Sequence, residues 1–576
     1  MFNKSYIQIK KNLKKSFAGL KKNKLAILGD TSTQFLKTII RGLGYDYKID
    51  IEIWEADYDQ IPLQVYNKSS DLYKLNPDFV VVFKSSHKLL QKYNSEKLEN
   101  QSSFAINQVE EIKNIYSFIS QNINSKIILY NFTEINDSIF GNFSNKVETS
   151  FLFQLRKINY LLMEFSISAP SLYICDLSSI QNQVGKMNFF HNSSYINNSM
   201  VLSVDVLPSV AKHTLDIIKT LNGRFNKCII LDLDNTTWGG IIGDDGIEKI
   251  QVGNLGIGKA FSEFQLWVKK LKNRGIIIAV CSKNTESVAV EPFKKHPDMI
   301  LKMEDISVFV ANWENKADNI RYIQNVLNIG FDSMVFIDDN PFERNIVREN
   351  ITEICVPEMP EDPADYLEYL YSLNLFETIS YSDLDYARTK KYQIEAKRIS
   401  SQKKYTNQND FLKSLKMVSK IESFNNFNTP RIAELSQRSN QFNLRTVRYT
   451  EKDIASISDS KNHFTFAFNL KDKFGDHGII CVIILEKQDI NTLFIDTWLM
   501  SCRVLKRGME KFVLNYLAKF CTQNNYKFIT GEYILTTKNA IVKDHYLNLG
   551  FKNKNKHFVL NLNSYKENTT NIKHNK

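Results

Sequence analysis

The 576-residue sequence lacks the features of secreted, membrane-spanning and zinc-knuckle proteins. Its seven cysteines form no Cys-x-x-Cys pair, and their odd number argues against a disulfide scaffold. No apolar run approaches the length that a membrane-spanning helix needs. The first 29 residues contain eight lysines and no acidic residue, but they lack the continuous apolar core of a secretory signal. These absences predict a cytoplasmic protein with no transmembrane segment.

The charge is unbalanced toward positive, with a formal net charge of +11. Hydrophobic residues make up 43% of the chain and charged residues 24%, which is typical of a globular protein long enough for three domains. The lysines stand singly or in pairs almost everywhere, which favours a general composition bias, and we expect no nucleic-acid partner. Attraction to an acidic partner is the alternative.

Strand-like and helix-like segments alternate along the first two thirds of the chain, which predicts parallel sheets covered by helices. The strands predicted in the first third are Leu25–Leu28, Ile49–Trp54, Phe79–Phe83, Ile127–Tyr130 and Leu172–Cys175. Those predicted in the middle third are Cys228–Leu231, Ile276–Val280 and Met334–Ile337. The last third carries the strand-like runs Phe464–Phe468, Ile479–Leu485, Leu493–Leu499 and His557–Leu562. A helix at Gly508–Lys519 lies among these runs, so we expect an α+β domain there.

The predicted fold class is therefore α/β, with an α+β domain at the end of the chain. The predicted domains are 1–220, 221–375 and 376–565, followed by a disordered polar tail at 566–576. A short amphipathic helix is expected to lead the first domain. A long charged helix around Ser382–Ser400 is expected to connect the second domain to the third.

Polar and charged side chains stand beyond the strand-like runs of the middle domain. In chain order they are Asp232, Asp234, Thr236, Ser282, Lys316, Asp338 and Asp339. Because the carboxyl ends of parallel strands meet at one edge of a sheet, we expect these groups to converge. Clustered carboxylates repel unless a cation lies between them, and an oxygen-seeking ion such as Mg²⁺ is the natural choice.

The order of these groups resembles the four motifs of the haloacid dehalogenase superfamily. The resemblance implies a Rossmann-like core that transfers a phosphoryl group with Mg²⁺. Asp232 would be the nucleophile and Asp234 the general acid and base, with the backbone carbonyl of Asp234 on the metal. The remaining implied roles are phosphate binding by Thr236, Ser282 and Lys316, and metal binding by Asp232, Asp234, Asp338 and Asp339.

Residues that flank these motifs, and further runs toward the end of the chain, narrow the resemblance from the superfamily to one family. The runs concerned are Trp238–Gly246, Val280–Asn284, Asn312–Lys316, Ile337–Arg344, Asn440–Leu444, Phe474–Gly478, Ser501–Arg503 and Arg507-Gly508. Together they resemble the FkbH-like family over about Asn226 to Phe551. That resemblance implies an enzyme that takes a glyceryl unit from 1,3-bisphosphoglycerate, a small phosphorylated three-carbon substrate. The enzyme would release both phosphates and pass the unit, as a thioester, to an acyl carrier protein.

Two cysteines are candidates for carrying the acyl group. Cys281 stands beside Ser282 at the predicted mouth of the phosphate site and is the preferred candidate, while Cys502 in the last domain is the alternative. A thiolate can displace phosphate from an acyl phosphate, so either cysteine would suit the chemistry. The ordinary role of each is that of a small buried strand residue.

The last domain resembles the GNAT acyltransferases. Arg503, Arg507 and Gly508 are further acyl-transfer candidates, and a carrier-protein arm is the favoured ligand of this domain. His477 and His545 are candidate bases, although lone histidines are more often structural.

The first domain resembles a flavodoxin-like or SGNH-hydrolase-like fold. Gly29-Asp30-Thr31 stands at the position of the nucleophile turn, but Thr31 replaces the serine there. The run Asn188–His191 matches the Asp-x-x-His element only in part. We therefore expect a degenerate domain that docks a partner or shapes the entrance for the substrate.

Two other functions stay open on the sequence. The first is a stand-alone phosphatase that acts on a sugar or glycan precursor. The second is a carrier-docking or scaffold protein with idle catalytic sites, and the complete set of catalytic carboxylates counts against it. A thioester on the protein would distinguish the glyceryl-transfer enzyme from the phosphatase.

Overall fold

The chain divides into two compact units, Met1–Asn222 and Gly223–Lys576. The computed structural model describes residues 4–381, 392–395, 398, 401, 405, 407–501, 504–536, 538–554 and 557–575. The second unit spans two of the predicted domains, and each of those domains contains a sheet of its own. The predicted connecting helix at Ser382–Ser400 lies almost wholly outside the described residues.

The first unit is built on a parallel sheet of five strands in the order β2-β1-β3-β4-β5. Its strands are β1 Lys21–Gly29, β2 Ile49–Glu55, β3 Phe79–Phe83, β4 Lys126–Tyr130 and β5 Leu172–Cys175. Its helices are α1 Tyr6–Lys11, α2 Gln34–Asp46, α3 Ile61–Tyr66, α4 Asp71–Leu75, α5 Ser86–Ser95, α6 Phe104–Asn122, α7 Phe151–Ser168, α8 Leu177–Val184, α9 Lys186–Phe189, α10 Asn192–Asn198 and α11 Leu207–Leu221. Every residue of β3 is buried, as expected for a central strand of a parallel sheet.

The second unit begins with a parallel sheet of four strands in the order β8-β7-β6-β9. Its strands are β6 Cys228–Leu231, β7 Ile277–Ser282, β8 Ile306–Ala311 and β9 Met334–Ile337. Its helices are α12 Ile242–Asp245, α13 Gly258–Asn273, α14 Glu286–Ala289, α15 Glu291–Lys295, α16 Lys316–Leu327, α17 Pro341–Asn350 and α18 Tyr366–Leu373. The two middle strands, β6 and β7, are buried at every residue, which fixes the position of the loops that follow them.

The rest of the second unit is a mixed sheet of nine strands, in which β12, β13 and β14 form an antiparallel meander and β15 pairs with β14 in parallel. Its strands are β10 Val418–Ser419, β11 Ile421–Glu422, β12 His463–Asp472, β13 Gly475–Lys487, β14 Thr492–Met500, β15 Phe528–Gly531, β16 Lys552–Lys554, β17 His557–Asn561 and β18 Lys573–His574. Its helices are α19 Gln408–Ser414, α20 Thr429–Arg438, α21 Glu451–Asp459, α22 Met509–Gln523 and α23 His545–Asn548. The predicted fold class, α/β with an α+β last domain, is confirmed.

The structure differs from the sequence-based prediction in several elements. The strands β8, β10, β11, β15 and β16 were not predicted. The tail predicted to be disordered is ordered at its end, because Ile572 is only 5% exposed and β18 adds to the edge strand β10. Among the helices of the described residues, none is both long and apolar enough to cross a membrane.

Candidate active site

The four-stranded sheet brings three of the predicted motifs to one edge. Its order places β6 between β7 and β9, and the strands are parallel. Asp232 follows β6, Ser282 ends β7 and Asp338 follows β9. The peptide N–H of Asp232 donates to the carbonyl of Ile337 at 2.9 Å, which joins the ends of β6 and β9. The three side chains therefore meet at the carboxyl edge of the sheet, where open α/β sheets bind ligands.

Three carboxylates form a cluster at this edge. Asp232, Asp338 and Asp339 each offer an oxygen, and these oxygens lie within 4.8 Å of one another. Asp232 and Asp338 are 6% and 0% exposed. Oδ1 of Asp232 is buried and has no hydrogen-bond partner among the described residues. A buried, unpartnered carboxylate oxygen beside two other carboxylates fits a hard divalent cation with oxygen ligands, so the donor set suits Mg²⁺.

Lys316 places its ammonium against the same cluster. It is the first residue of α16 and is 3% exposed, with Nζ 3.0 Å from Oδ2 of Asp232 and 2.6 Å from Oδ2 of Asp338. Burial lowers the pKa of Lys316, but the two carboxylates outweigh burial and raise this pKa above its usual value. Burial and the Asp232 charge raise the pKa of Asp338 to about 7 against the opposing effect of Lys316. The ammonium is thus charged and offsets part of the negative charge.

The Asp234 carboxylate is not a member of this cluster and has hydrogen-bond partners of its own. Its Oδ1 accepts hydrogen bonds from Nε1 of Trp238 at 2.9 Å and from the N–H of Ile242 at 3.0 Å, and its Oδ2 accepts one from Nδ2 of Asn284 at 2.8 Å. Burial raises the pKa of Asp234. Trp238 and Asn284 were not predicted as site residues. Their positions, four residues after Asp234 and two after Ser282, were the signal that could have identified them.

Thr236 and Ser282 differ in how their hydroxyls are used. Oγ1 of Thr236 donates to Oδ1 of Asp339 and accepts from the N–H of Asp339, both at 3.0 Å. Oγ of Ser282 accepts a long hydrogen bond of 3.3 Å from Nδ2 of Asn284 and has its own proton available. Thr236 therefore orients Asp339, whereas Ser282 has a donor for a ligand. The predicted phosphate-binding roles of both residues stay predictions.

Comparisons with known proteins extend over both units. The model of the "FkbH, N-terminal domain" family matches residues 24–219. A crystal structure of the N-terminal part of protein BF1531 from Bacteroides fragilis, which contains a phosphatase domain complexed with Mg, is 53% identical. That match covers 66% of this chain and 100% of the solved chain, with a TM-score of 0.64. This chain belongs to the FkbH-like family. The four-stranded sheet is the haloacid dehalogenase-type core of this family member.

Other matches are shorter. A GNAT-family acetyltransferase from Staphylococcus aureus is 16% identical and covers 25% of this chain and 99% of its own, with a TM-score of 0.21. A spermidine N-acetyltransferase from Vibrio cholerae, in complex with CoA and spermine, is 10% identical and covers 25% and 96%, with a TM-score of 0.21. None of the curated proteins compared with the chain matches it.

In this FkbH-like protein, Cys281, the preferred acyl carrier, lies in the apolar core that packs on the four-stranded sheet. It is 0% exposed, and its Sγ lies 3.7 Å from the carbonyl oxygen of Lys316. Burial raises the pKa of the Cys281 thiol far above its usual value. Neighbouring strand residues point to opposite faces of a sheet, so Cys281 and Ser282 do not share one pocket. This burial disfavours the predicted role of Cys281, which stays untested.

Two of the other acyl-transfer candidates lie outside the described residues, and a third, Arg507, is buried. Cys502 and Arg503 lie outside the described part of the chain. Arg507 is 1% exposed, and its guanidinium donates to Asp472 at 2.9 Å and to Glu395 at 2.5 Å. Gly508 has φ +79° and precedes α22. Buried carboxylates thus already pair with the Arg507 side chain.

The remaining predicted residues are two histidines of the last domain and the residues of the degenerate motifs in the first unit. Nε2 of His477 lies 3.0 Å from Oδ2 of Asp472, while burial lowers the pKa of His545 to about 3. In the first unit, the Asp30 carboxylate accepts from the N–H of Ser85 at 2.8 Å, and Thr31 is fully buried. His191 is exposed, with Nδ1 2.7 Å from Oγ of Ser194. The expected degenerate character of this unit stays a prediction.

Proposed function

We propose that this chain is a Mg²⁺-dependent phosphatase that acts on a phosphorylated three-carbon acid. The observation that carries the proposal is the position of Asp232, which contacts the Lys316 ammonium, lies beside two further carboxylates and has one buried oxygen without a partner among the described residues. The related phosphatase domain of BF1531 holds Mg, and the predicted cofactor, Mg²⁺, is thereby confirmed. Phosphatase activity follows from the same relationship.

The positions of the side chains support the following division of roles. Asp232 attacks the phosphorus, forming an aspartyl phosphate while the bond to the leaving oxygen breaks. Asp234, set apart from the carboxylate cluster, gives its proton to the leaving oxygen and then takes one from the attacking water. Lys316 and Ser282 hold the phosphoryl oxygens. Bound Mg²⁺ offsets the charge of Asp232, Asp338, Asp339 and the phosphoryl group.

The finer part of the proposal is glyceryl transfer. The acyl phosphate of 1,3-bisphosphoglycerate is activated, so a thiolate can attack its carbonyl carbon and displace phosphate as the carbon–oxygen bond breaks. The Asp232 machinery then removes the remaining phosphate ester. The glyceryl thioester passes to an acyl carrier protein, and the net charge of +11 would speed the approach of an acidic carrier.

A stand-alone phosphatase is the second candidate function. The burial of Cys281 favours it, because a thiol without solvent contact and with a raised pKa is a poor nucleophile. Cys502 is then the remaining acyl carrier of the first proposal. The scaffold hypothesis has less support, because the carboxylate cluster and its paired lysine are complete.

The phosphatase proposal is tested by Asp232→Asn. Steady-state release of phosphate from 3-phosphoglycerate with Mg²⁺ should fall to background, because the amide oxygen is a weak nucleophile. Asp318→Asn is the matched control, since Asp318 is an exposed carboxylate on the same helix as Lys316. Turnover that survives Asp232→Asn would remove this residue as the nucleophile.

Glyceryl transfer is tested by the mass of the intact protein after incubation with 1,3-bisphosphoglycerate and Mg²⁺. A glyceryl adduct that is absent from Cys502→Ala and present in Cys281→Ala assigns the thioester to Cys502. The reverse pattern assigns it to Cys281. Rapid phosphate release with no adduct on any variant supports the stand-alone phosphatase.

A further inference from the structure

The Asp234 carboxylate has an asymmetric set of partners. Oδ1 accepts two hydrogen bonds, from Trp238 at 2.9 Å and from the N–H of Ile242 at 3.0 Å. Oδ2 accepts one, from Asn284 at 2.8 Å. Each carboxylate oxygen has two lone pairs in the carboxylate plane, so Oδ1 is saturated and Oδ2 has one position left. A proton on this carboxyl group therefore belongs on Oδ2, the oxygen that Asn284 contacts.

Asn284 connects this acid to the phosphate side of the site. Its Nδ2 carries two protons, which are directed to Oδ2 of Asp234 at 2.8 Å and to Oγ of Ser282 at 3.3 Å. The side chain is 4% exposed, so water does not compete strongly for these contacts. The amide cannot be reversed without setting its oxygen against the carboxylate. Asn284 thus fixes the distance between the acid and the hydroxyl that faces the phosphoryl group.

We propose that Asn284 is a positioning residue that holds Oδ2 of Asp234 so that its proton reaches the leaving oxygen of an alkyl phosphate. This inference rests on the phosphatase function proposed above and deepens it. In the step concerned, an oxygen of Asp232 forms a bond to phosphorus, and the bond from phosphorus to the leaving oxygen breaks. The electron pair of that bond stays on the leaving oxygen, which takes the proton from Oδ2.

The leaving group gives a direct test. An alkoxide is a poor leaving group and needs the proton, whereas 4-nitrophenolate delocalises its charge and leaves without one. Misplacing the acid should therefore slow the two substrates unequally, since acid catalysis contributes about 10²–10⁴-fold. A change in phosphate binding through Ser282 would instead act on both substrates alike.

The experiment compares kcat/KM of wild type and Asn284→Ala on 3-phosphoglycerate and on 4-nitrophenyl phosphate, with Mg²⁺ present. The ratio kcat/KM reports formation of the aspartyl phosphate and not the later attack of water, in which Asp234 serves both substrates alike. We expect kcat/KM on 3-phosphoglycerate to fall by about 10²-fold or more, with little change on 4-nitrophenyl phosphate. Equal losses of kcat/KM on both substrates would overturn the inference. Should Asn284→Ala not fold, Asn284→Ser removes the reach to Asp234 and serves the same comparison.

Asp232→Asn, assayed in parallel, distinguishes a failure of the proposed phosphatase function from a failure of the positioning role of Asn284. If it retains turnover of both substrates, the proposed phosphatase function fails and the inference fails with it. If it abolishes both, while Asn284→Ala slows the two substrates equally, the phosphatase stands and the positioning role of Asn284 alone is rejected.

Discussion

At the scale of single residues, the Lys316 ammonium touches two of the three clustered carboxylates. Removing a partner from a buried charge network leaves uncompensated charge, at a cost of about 3–5 kcal/mol. We expect Lys316→Met to lose activity and to unfold at a lower urea concentration in EDTA. The added Mg²⁺ should raise the urea midpoint of the variant more than that of the wild type, because a cation can restore the missing positive charge.

The urea midpoint of the second unit is measured by pulse proteolysis, followed through the peptides that derive from residues 223–576. Lys259→Met is the matched control, since Lys259 forms an exposed pair with Glu263 at 3.7 Å and such pairs contribute little. A loss in Lys316→Met no greater than in the control would contradict the charge-balance argument.

Asp30 provides a pH dependence in the first unit. Burial raises its pKa from 3.8 to about 7, although the Ser85 N–H and the Lys84 ammonium oppose the shift. The folded chain thus holds the proton more tightly than the unfolded chain, so this group destabilises the fold progressively as pH rises from about 4 to about 7. The free energy of unfolding of Asp30→Asn, taken relative to wild type, should therefore be higher at pH 8 than at pH 4.5. The expected difference is a few kcal/mol.

The measurement is the urea midpoint for unfolding of the first unit at the two pH values. It is followed by pulse proteolysis through the peptides that derive from residues 1–222. Comparing the variant with the wild type at each pH cancels effects that do not depend on the proton. The same difference at both pH values would mean that the Asp30 carboxyl group does not titrate between them.

At the scale of elements, the buried strands were the easiest to predict. The predicted runs Phe79–Phe83, Cys228–Leu231 and Met334–Ile337 coincide with the buried strands β3, β6 and β9. A strand buried on both faces reads as a continuous apolar run, which the sequence alone reveals. The strand β8 was missed, and Ser307 interrupts its apolar residues. Its place at the edge of the sheet follows from pairing with β7, which the sequence does not display.

The sequence also predicted the part of the site that depends on strand ends, and it missed the part that depends on loop conformation. Convergence of Asp232, Ser282 and Asp338 follows from the rule that parallel strands end at one edge. The alternation of side chains along a strand was the information not applied to Cys281, which packs in the apolar core, on the face of β7 opposite to Ser282. The contact of Asn284 with Asp234 depends on loop conformation, and no periodicity in the sequence reports it.

Gly508 tests a backbone requirement at the start of α22. Its φ is +79°, and a Cβ built there would meet nothing within 4 Å. Gly508→Ala therefore has room for its methyl group and suffers only the left-handed backbone strain, about 1–2 kcal/mol. Gly243→Ala is the control, because its Cβ also meets nothing and its φ is not in that region. Urea unfolding should show a loss for the first variant and little change for the second; equal effects would reject the conformational explanation.

At the scale of the whole molecule, the division into two units separates the residues proposed for phosphoryl transfer from the domain matched at 24–219. Each of these residues, from Asp232 to Asp339, lies in the second unit. The elements that position them, β6, β7, β9 and α16, also belong to that unit. Chemistry on a small phosphate ester should therefore need residues 223–576 alone, whereas recognition of a carrier protein would draw on the first unit if that unit docks a partner.

We therefore expect the piece 223–576 to hydrolyse 4-nitrophenyl phosphate with the kcat/KM of the full chain. The same piece carrying Asp232→Asn should be inactive, which controls for a contaminating phosphatase. Transfer of a glyceryl unit to an acyl carrier protein, followed by the mass of the carrier, should be slower for the piece than for the full chain. A piece that folds, by circular dichroism, but does not hydrolyse the small ester would show that the first unit contributes to the chemistry itself. Equal carrier loading by the two forms would instead remove the first unit from carrier recognition, because the charges and contacts that matter would then lie entirely within the second unit.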